Sequence, residues 1–307
     1  MTKNSSDLTL TTLEARLRTL VPAEYQDSLD DIEPTPMGSA GLKFRPDGSV
    51  AWDEIWGSFC DLALAGGPPH KGTLLEPGTP AAIAGHPAQY RAALREICRG
   101  INMVTDLVAE PADAGWVRMY CPDEAMARWL VRAIVMENVS VRQDGVVLDL
   151  PAGPDYRLEK EVKNVVTVIA KTCHYWEGHM PISQRRAIGD LLAAMEQEQP
   201  LLRPALTTVS YPATSDRIAR AGFAETVRQI AGLTVSPQRY PGWQGVECVN
   251  VRLAVWNMRM LVAANVLARR EGNVLFVPVN PARDAEGRLI GELVGRVSTL
   301  AIARSSV

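Results

Sequence analysis

The stretch whose residue types are best suited to binding or catalysis is a loop rich in glycine and proline, LALAGGPPHKGTLLEPG, at residues 62–78. Its prolines stiffen the backbone, and its glycines permit the positive φ angles that turn successive N–H groups toward one anion. His70 can exchange protons near neutral pH, and Lys71 carries a positive charge. The residues expected to bind an anion are Gly66, Gly67, Lys71, Gly72 and Thr73. His70 is then a candidate general acid or base, and the alternative is a rigid turn that caps the preceding helix.

This loop differs from the known phosphate-binding and nucleophile motifs. In a Walker A motif the lysine follows the last glycine, on a loop between a strand and a helix. Here Lys71 precedes Gly72, and a helix is expected before the loop. The chain has neither the GxGxxG nor the GxSxG pattern. The loop therefore predicts a place for an anion without naming a reaction.

A second candidate site is a polar stripe on the helix predicted for RLEKEVKNVVTVIAKTCHYWEGH, residues 157–179. Steps of four and three residues place five polar side chains on one helical face. They are Lys160, Asn164, Thr167, Lys171 and His174. The stripe either lines a ligand site, with His174 as a second candidate acid or base, or faces water.

A metal site is considered at the end of the same helix. Its candidate ligands are Cys173, His174, Glu177 and His179. Adjacent Cys and His residues cannot easily face one ion from a single helix, and no CxxC or HxxxH pair completes a tetrahedral set. We therefore expect no metal, and no cofactor is assigned. The five cysteines have no disulfide-like spacing, which predicts reduced thiols, with Cys60 in the core of a helix.

The elements that must position these residues occur twice in the chain. The segment beginning at Gly115 aligns with the segment beginning at Gly242, at an offset of 127, without a gap over 40 positions. A second aligned block follows at an offset of 131. In that block the polar stripe is replaced by Gly291, Gly295, Ser298, Ile302 and Ser305. Self-similarity of this length predicts a tandem duplication.

Each copy reads as a β-α-β-α unit of an α+β fold. Asp123 and Asn250 are expected to cap the first helix of each copy, and Asn138 and Asn265 to end it. A strand, a crossover helix and a strand predict parallel, right-handed units. We expect the two copies to share one four-stranded, pseudo-twofold core of ferredoxin-like type. Two separate sheets are the alternative.

The residues outside the two copies form an N-terminal extension and a linker between the copies. An N-terminal extension is predicted to hold a hairpin at 42–52 and an amphipathic helix containing Trp52, Trp56 and Phe59. The predicted segments are 1–114 with the Gly/Pro-rich loop, 115–179 for copy 1, 180–241 as a helical linker and 242–307 for copy 2.

Composition limits the classes of function. The chain has 307 residues, 47% of them hydrophobic, and a net charge of -3. This excludes a bulk electrostatic attraction to nucleic acid or an anionic membrane, and no apolar run reaches the length of a membrane span. We expect a cytoplasmic enzyme acting on a small anionic metabolite, a carboxylate or phosphate. The alternative is a non-catalytic metabolite-binding or assembly protein, and a homo-oligomer is compatible with either.

Overall fold

The structure is a computed structural model, and it describes residues 9–29, 41–55, 60–204 and 213–305. The chain forms two compact units. The first unit comprises residues 22–189, and the second comprises residues 1–21 together with 190–307. Helices and antiparallel strands occur in both, so the predicted α+β class is confirmed. In the described ranges, no helix is both long enough and apolar enough to cross a membrane.

The chain begins with helix α1 (Leu10–Leu20), which belongs to the second unit. The first unit then follows in a continuous run. Its described helices and strands, in chain order, are α2 (Pro80–Gly85), α3 (Pro87–Val104), β1 (Ala109–Pro111), β2 (Trp116–Tyr120), α4 (Glu124–Met136), β3 (Arg142–Asp144), β4 (Val147–Pro151) and α5 (Lys163–Gly178). Helix α6 (Ile182–Glu198) contains the boundary between the two units.

The second unit continues with the same order of elements around its sheet. These elements are α7 (Ala213–Ala231), β5 (Thr234–Tyr240), β6 (Trp243–Glu247), α8 (Val251–Ala263), β7 (Arg269–Glu271), β8 (Val274–Pro278) and α9 (Arg288–Ser305). The segment predicted as a purely helical linker, 180–241, therefore contains a strand, β5, as well as α6 and α7.

Each unit has its own four-stranded sheet. The strand orders are β1-β2-β4-β3 and β5-β6-β8-β7, and every neighbouring pair is antiparallel. The prediction of one shared sheet with parallel crossovers is therefore wrong. The prediction did not include the three-residue strands β3 and β7. Each of these strands follows the first helix of its repeat. A two-residue turn, with Gly145 at φ 55 in the first unit, then reverses the chain and inserts β4 between β2 and β3.

The two units repeat their geometry at an offset of 127. Asn138 and Asn265 end α4 and α8 with φ 62, and Asp123 and Asn250 cap the N-termini of the same helices, as predicted. The agreement extends upstream of Gly115, where the aligned blocks begin. Isolated parallel bridges join Leu75 to Val139 and Leu202 to Val266, again 127 residues apart.

The N-terminal part of the first unit differs from its prediction at one important place. A short antiparallel bridge, Phe44 to Val50, forms around the expected turn. The predicted helix after it is replaced by two 3-10 turns, Trp52–Glu54 and Ala63–Ala65, while Trp56 and Phe59 lie outside the described residues. The backbone N–H of Ala63 donates to the Glu137 carboxylate instead of continuing a helix. A tertiary hydrogen bond thus takes the place of a helical one, and Cys60 lies outside any helix or strand.

The helix that carries the polar stripe begins with a π-helical turn, Leu158–Val162, before α5. A π turn contains more residues than an α turn, so it shifts the face on which the preceding residues lie. Lys160 is consequently exposed, whereas Lys163 is buried. From Asn164 onward the α-helical spacing holds, and Lys171 is almost completely buried.

Candidate functional site

The Gly/Pro-rich loop surrounds a carboxylate that belongs to the chain itself. Glu137, at the end of α4, is completely buried. Its Oε1 accepts a hydrogen bond from the N–H of Ala63 at 3.0 Å, and its Oε2 accepts one from the N–H of His70 at 2.7 Å. The donors are therefore Ala63 and His70, whereas the N–H groups of Gly66 and Gly67 donate to main-chain oxygens of the loop itself.

Two glycines shape the loop for this contact. Gly66 has φ 114, a left-handed conformation that follows the 3-10 turn. At Gly67, a Cβ would lie 2.3 Å from the main-chain oxygen of Asp61, so no side chain fits without movement of the backbone. Gly72 is exposed, and a Cβ there would meet nothing within 4 Å. Gly66 and Gly67 are thus needed for the turn, whereas Gly72 is not.

The polar stripe reaches the same carboxylate from the other side. Lys171 Nζ lies 2.9 Å from Glu137 Oε1 and 2.9 Å from Cys60 Sγ. Burial alone would lower the pKa of Lys171, but the charge of Glu137 and the contact with Cys60 outweigh it, so this pKa lies above its ordinary value. Lys171 is therefore an ammonium at neutral pH, paired with Glu137 inside the unit.

His70 lies in the electrostatic field of the same groups. Burial lowers the pKa of His70 to about 4; Glu137 opposes this, while Lys171 and Lys163 add to it. His70 is consequently neutral at pH 7. The loop and the stripe, about 100 residues apart in the sequence, thus meet around His70, Glu137 and Lys171.

Thr167 occupies the stripe between Asn164 and Lys171. Its side chain is 8% exposed, and its hydroxyl has no hydrogen-bond partner among the described residues. A buried hydroxyl without a partner lowers stability, because its hydration is lost without compensation. Thr167 is therefore the described stripe residue whose polar group the fold leaves unsatisfied.

The far end of the stripe forms a separate cluster. His174 Nε2 and His179 Nε2 lie 3.1 Å apart, and His179 Nδ1 lies 3.0 Å from Glu24 Oε2. Burial and the nearby His179 lower the pKa of His174, with Glu24 acting in the opposite direction. Cys173 is buried. Within the described part of the chain, no group of three His, Cys, Asp or Glu side chains is arranged to hold a metal ion.

Cys60 and two tyrosines also belong to the cluster around Glu137, and their place in it was not predicted from the sequence. The Tyr175 hydroxyl donates to the main-chain oxygen of Cys60 at 3.3 Å and lies 2.9 Å from the Tyr25 hydroxyl. The Tyr25 hydroxyl donates to Asp61 Oδ1 at 2.6 Å. Burial raises the pKa of the Cys60 thiol, although the charge of Lys171 acts against that shift.

A signal for the buried pair was present in the sequence. At the offset of 127, Glu137 corresponds to Ala264, and at the offset of 131, Lys171 corresponds to Ile302. The corresponding positions of the second unit therefore lack both the carboxylate and the ammonium. The joint absence of opposite charges is what a direct ion pair predicts, since either charge alone would be costly to bury.

An open cleft of about 750 Å³ adjoins the loop in the first unit. This volume lies within the roughly 300–1,000 Å³ that is usual for small-molecule sites. Of the predicted ligand-binding residues, Lys71 and Thr73 line it, whereas the other predicted residues do not. Its further polar lining consists of Glu76, Thr79, His86, Gln89, Asp155, Tyr156 and Glu161. The cleft is thus distinct from the buried cluster, and carboxylates predominate among its charged groups.

Protein-family models, curated protein sequences and solved structures were compared with the chain, and none of them matches it.

Proposed function

We propose that the first unit binds a small molecule carrying a carboxylate or phosphate group in the cleft, and that Lys71 and Thr73 hold that group. The observation that carries the proposal is the position of Lys71. It lines a cleft of suitable volume and forms no ion pair with a described residue. An ammonium and a hydroxyl on one loop suit the oxygen atoms of an anion.

The cleft is also lined by negatively charged side chains, and these narrow the class of ligand that can bind. Glu76, Asp155 and Glu161 contribute carboxylates to the lining, and Glu161 is already paired with Arg157 at 3.0 Å. A ligand that is only anionic would be repelled by the Asp155 carboxylate. The proposed ligand therefore also carries an amine or several hydroxyl groups that can donate hydrogen bonds to the carboxylates of the lining.

The C-terminal end of α4 supports this function by fixing the loop at Lys71. The N–H of Lys71 donates to the Glu137 main-chain oxygen at 3.3 Å, and Asn138 Nδ2 donates to the Lys71 oxygen at 2.7 Å. The backbone of Lys71 is therefore anchored on both sides, while its side chain belongs to the cleft. A binding group held in place before the ligand arrives costs less conformational entropy on binding.

An enzyme acting on the same kind of molecule is the second candidate function. The observation that favours it is His70, whose backbone is fixed by the Glu137 carboxylate and whose imidazole is kept neutral at pH 7 by burial. A neutral imidazole can accept a proton from a substrate. His70 does not line the cleft, so this candidate requires that a substrate reach from Lys71 to the His70 ring.

Calorimetric titration of the full chain tests the proposal with defined probes. We expect phosphoethanolamine, which carries both charges, to bind more tightly than inorganic phosphate or ethanolamine alone. Lys71→Ala should weaken phosphoethanolamine binding by about 1.5–3 kcal/mol, the usual value of a charged hydrogen bond. Lys43→Ala, an exposed lysine outside the cleft, is the matched control. Unchanged affinity in Lys71→Ala would reject the proposed role of the cleft.

We also infer that the two units arose by tandem duplication and that only the first retained the charged cluster. The shared strand order and the bridges at an offset of 127 support this inference. An experimental structure should superpose residues 115–151 on 242–278, strand for strand. A different strand order in either unit would reject it.

A further inference from the structure

Cys60 is the one cysteine that is both partly exposed and close to an amine. The other four, Cys98, Cys121, Cys173 and Cys248, are buried, whereas Cys60 is partly exposed. Its Sγ lies 2.9 Å from Lys171 Nζ. That separation is shorter than the sum of the van der Waals radii of sulfur and nitrogen. The two atoms are therefore in direct contact.

We propose that Cys60 and Lys171 form a redox-modification site, in which a hydroperoxide oxidises Cys60 and Lys171 captures the product as a sulfur–nitrogen bond. Capture of a sulfenic acid by a nearby nitrogen is established cysteine chemistry. The nitrogen here is a side-chain amine that the fold holds beside the sulfur. This proposal does not depend on a ligand in the cleft.

The reaction balances in two steps. First, the Cys60 thiol reacts with the hydroperoxide; the sulfur is oxidised by two electrons to the sulfenic acid, and the peroxide is reduced to water or an alcohol. Second, Lys171 must lose a proton, because only the neutral amine can attack the sulfur; the sulfur–oxygen bond then breaks. Of the two protons that the nitrogen loses, one departs with the leaving oxygen as water. The second is the one that the ammonium gives up before the attack.

Glu137 provides a place for the second proton. Its Oε1 lies 2.9 Å from Lys171 Nζ, and the carboxylate is completely buried. Once Lys171 has lost its charge, a buried Glu137 anion would be left without its cationic partner, which is strongly unfavourable. Protonation of Glu137 removes that charge and leaves a neutral group that can still accept from Ala63 and His70.

The proposed bond joins the Gly/Pro-rich loop to α5. Cys60 precedes the loop, and Lys171 is 111 residues further along the chain. A covalent link between such distant positions restricts the unfolded chain, so it raises stability when the link is unstrained. Oxidation is therefore expected to make the first unit harder to unfold, and reduction to reverse the effect.

The protonation state of the Cys60 thiol also makes the rate of its oxidation depend on pH. Burial and the charge of Glu137 raise the pKa of the Cys60 thiol, Lys171 lowers it, and the net shift is upward, so the thiolate fraction at neutral pH is small. The thiolate is the form that reacts with peroxide. The rate of modification should accordingly rise about tenfold per pH unit between pH 7 and the pKa of Cys60.

Intact-mass analysis of the full chain after treatment with hydrogen peroxide tests the proposal. We expect a loss of about 2 Da, the two hydrogens that leave with the products. Digestion should yield a single cross-linked pair of peptides containing Cys60 and Lys171. Treatment with dithiothreitol should restore the original mass. The melting temperature should rise on oxidation and return to its starting value on reduction.

Three variants distinguish this bond from other oxidation products. Cys60→Ser and Lys171→Arg should both abolish the mass loss, and Lys171→Arg keeps the charge that Glu137 requires. Cys98→Ser, which removes a buried thiol, should leave the mass loss unchanged. A mass loss that persists in Lys171→Arg would indicate a disulfide and overturn the proposal. Accumulation of sulfinic acid on Cys60, without a cross-linked peptide, would also overturn it.

Discussion

Lys171 Nζ lies 2.9 Å from Glu137 Oε1, and the two side chains are only 1% and 0% exposed. The same carboxylate accepts hydrogen bonds from the N–H groups of Ala63 and His70. A buried ion pair of this kind is not in itself a large source of stability, because both charges lose their hydration. The pair matters for stability when one partner is removed, because the other charge is then buried without a counter-charge.

Lys171→Met is therefore expected to destabilise the first unit by about 3–5 kcal/mol. The double variant Lys171→Met with Glu137→Gln should recover much of this loss, because neither position then carries a buried charge. Arg45→Ala, which breaks the exposed pair with Asp53, should have little effect. Urea denaturation measures all three. A double variant as unstable as Lys171→Met would mean that packing, and not charge, dominates at this position.

The stability of the first unit should fall as the pH is lowered from about 6.5 toward 4. Burial lowers the pKa of His70 from 6.5 to about 4. The unfolded chain therefore binds a proton in this range that the folded chain does not, so acid favours unfolding. The full effect of such a shift is at most about 3 kcal/mol.

His70→Gln isolates the contribution of His70. His174 also has a lowered pKa and acts in the same direction, so wild type and variant must be compared at the same pH values. We expect the variant to lose less stability between pH 7.5 and pH 5 than the wild type does. Denaturation curves at each pH provide the measurement. Equal losses in the two proteins would mean that His70 titrates normally.

Two glycines in the loop should respond very differently to alanine. A Cβ at Gly67 would lie 2.3 Å from Asp61 O, whereas a Cβ at Gly72 would meet nothing within 4 Å. Gly67→Ala should thus cost about 1–3 kcal/mol or more, as overpacking usually does. Gly72→Ala is the matched control and should change the melting temperature little. Similar effects at both positions would contradict the close approach of the backbone at Gly67.

Two threonines on α5 offer a second matched comparison. The Thr167 hydroxyl is buried without a described partner, while the Thr172 hydroxyl donates to the Val168 oxygen at 2.8 Å. Thr167→Val should stabilise the protein by about 1 kcal/mol, because valine removes an unsatisfied polar group while keeping the shape. Thr172→Val should be neutral or destabilising. Thermal unfolding distinguishes these results, and a destabilised Thr167→Val would show that its hydroxyl is satisfied in solution.

The sequence by itself determined the elements whose signals are local. The apolar spacing and the caps at Asp123 and Asn250 placed α4 and α8 correctly, because a cap needs only the next few residues. Asn138 and Asn265 ended those helices because asparagine tolerates the left-handed conformation. The internal similarity at an offset of 127 also predicted that both halves would contain the same elements in the same order.

Only the tertiary structure decided the contacts between distant residues. Three-residue strands carry too little pattern to be recognised, so β3 was overlooked and the direction of β4 was predicted wrongly. The Gly/Pro-rich loop was recognised as a place for an anion, but the buried carboxylate lies 67 residues beyond His70. Spacing rules reach only a few residues along a chain. The partner of a buried charge is set by packing, since it is the loss of water that makes the pairing necessary.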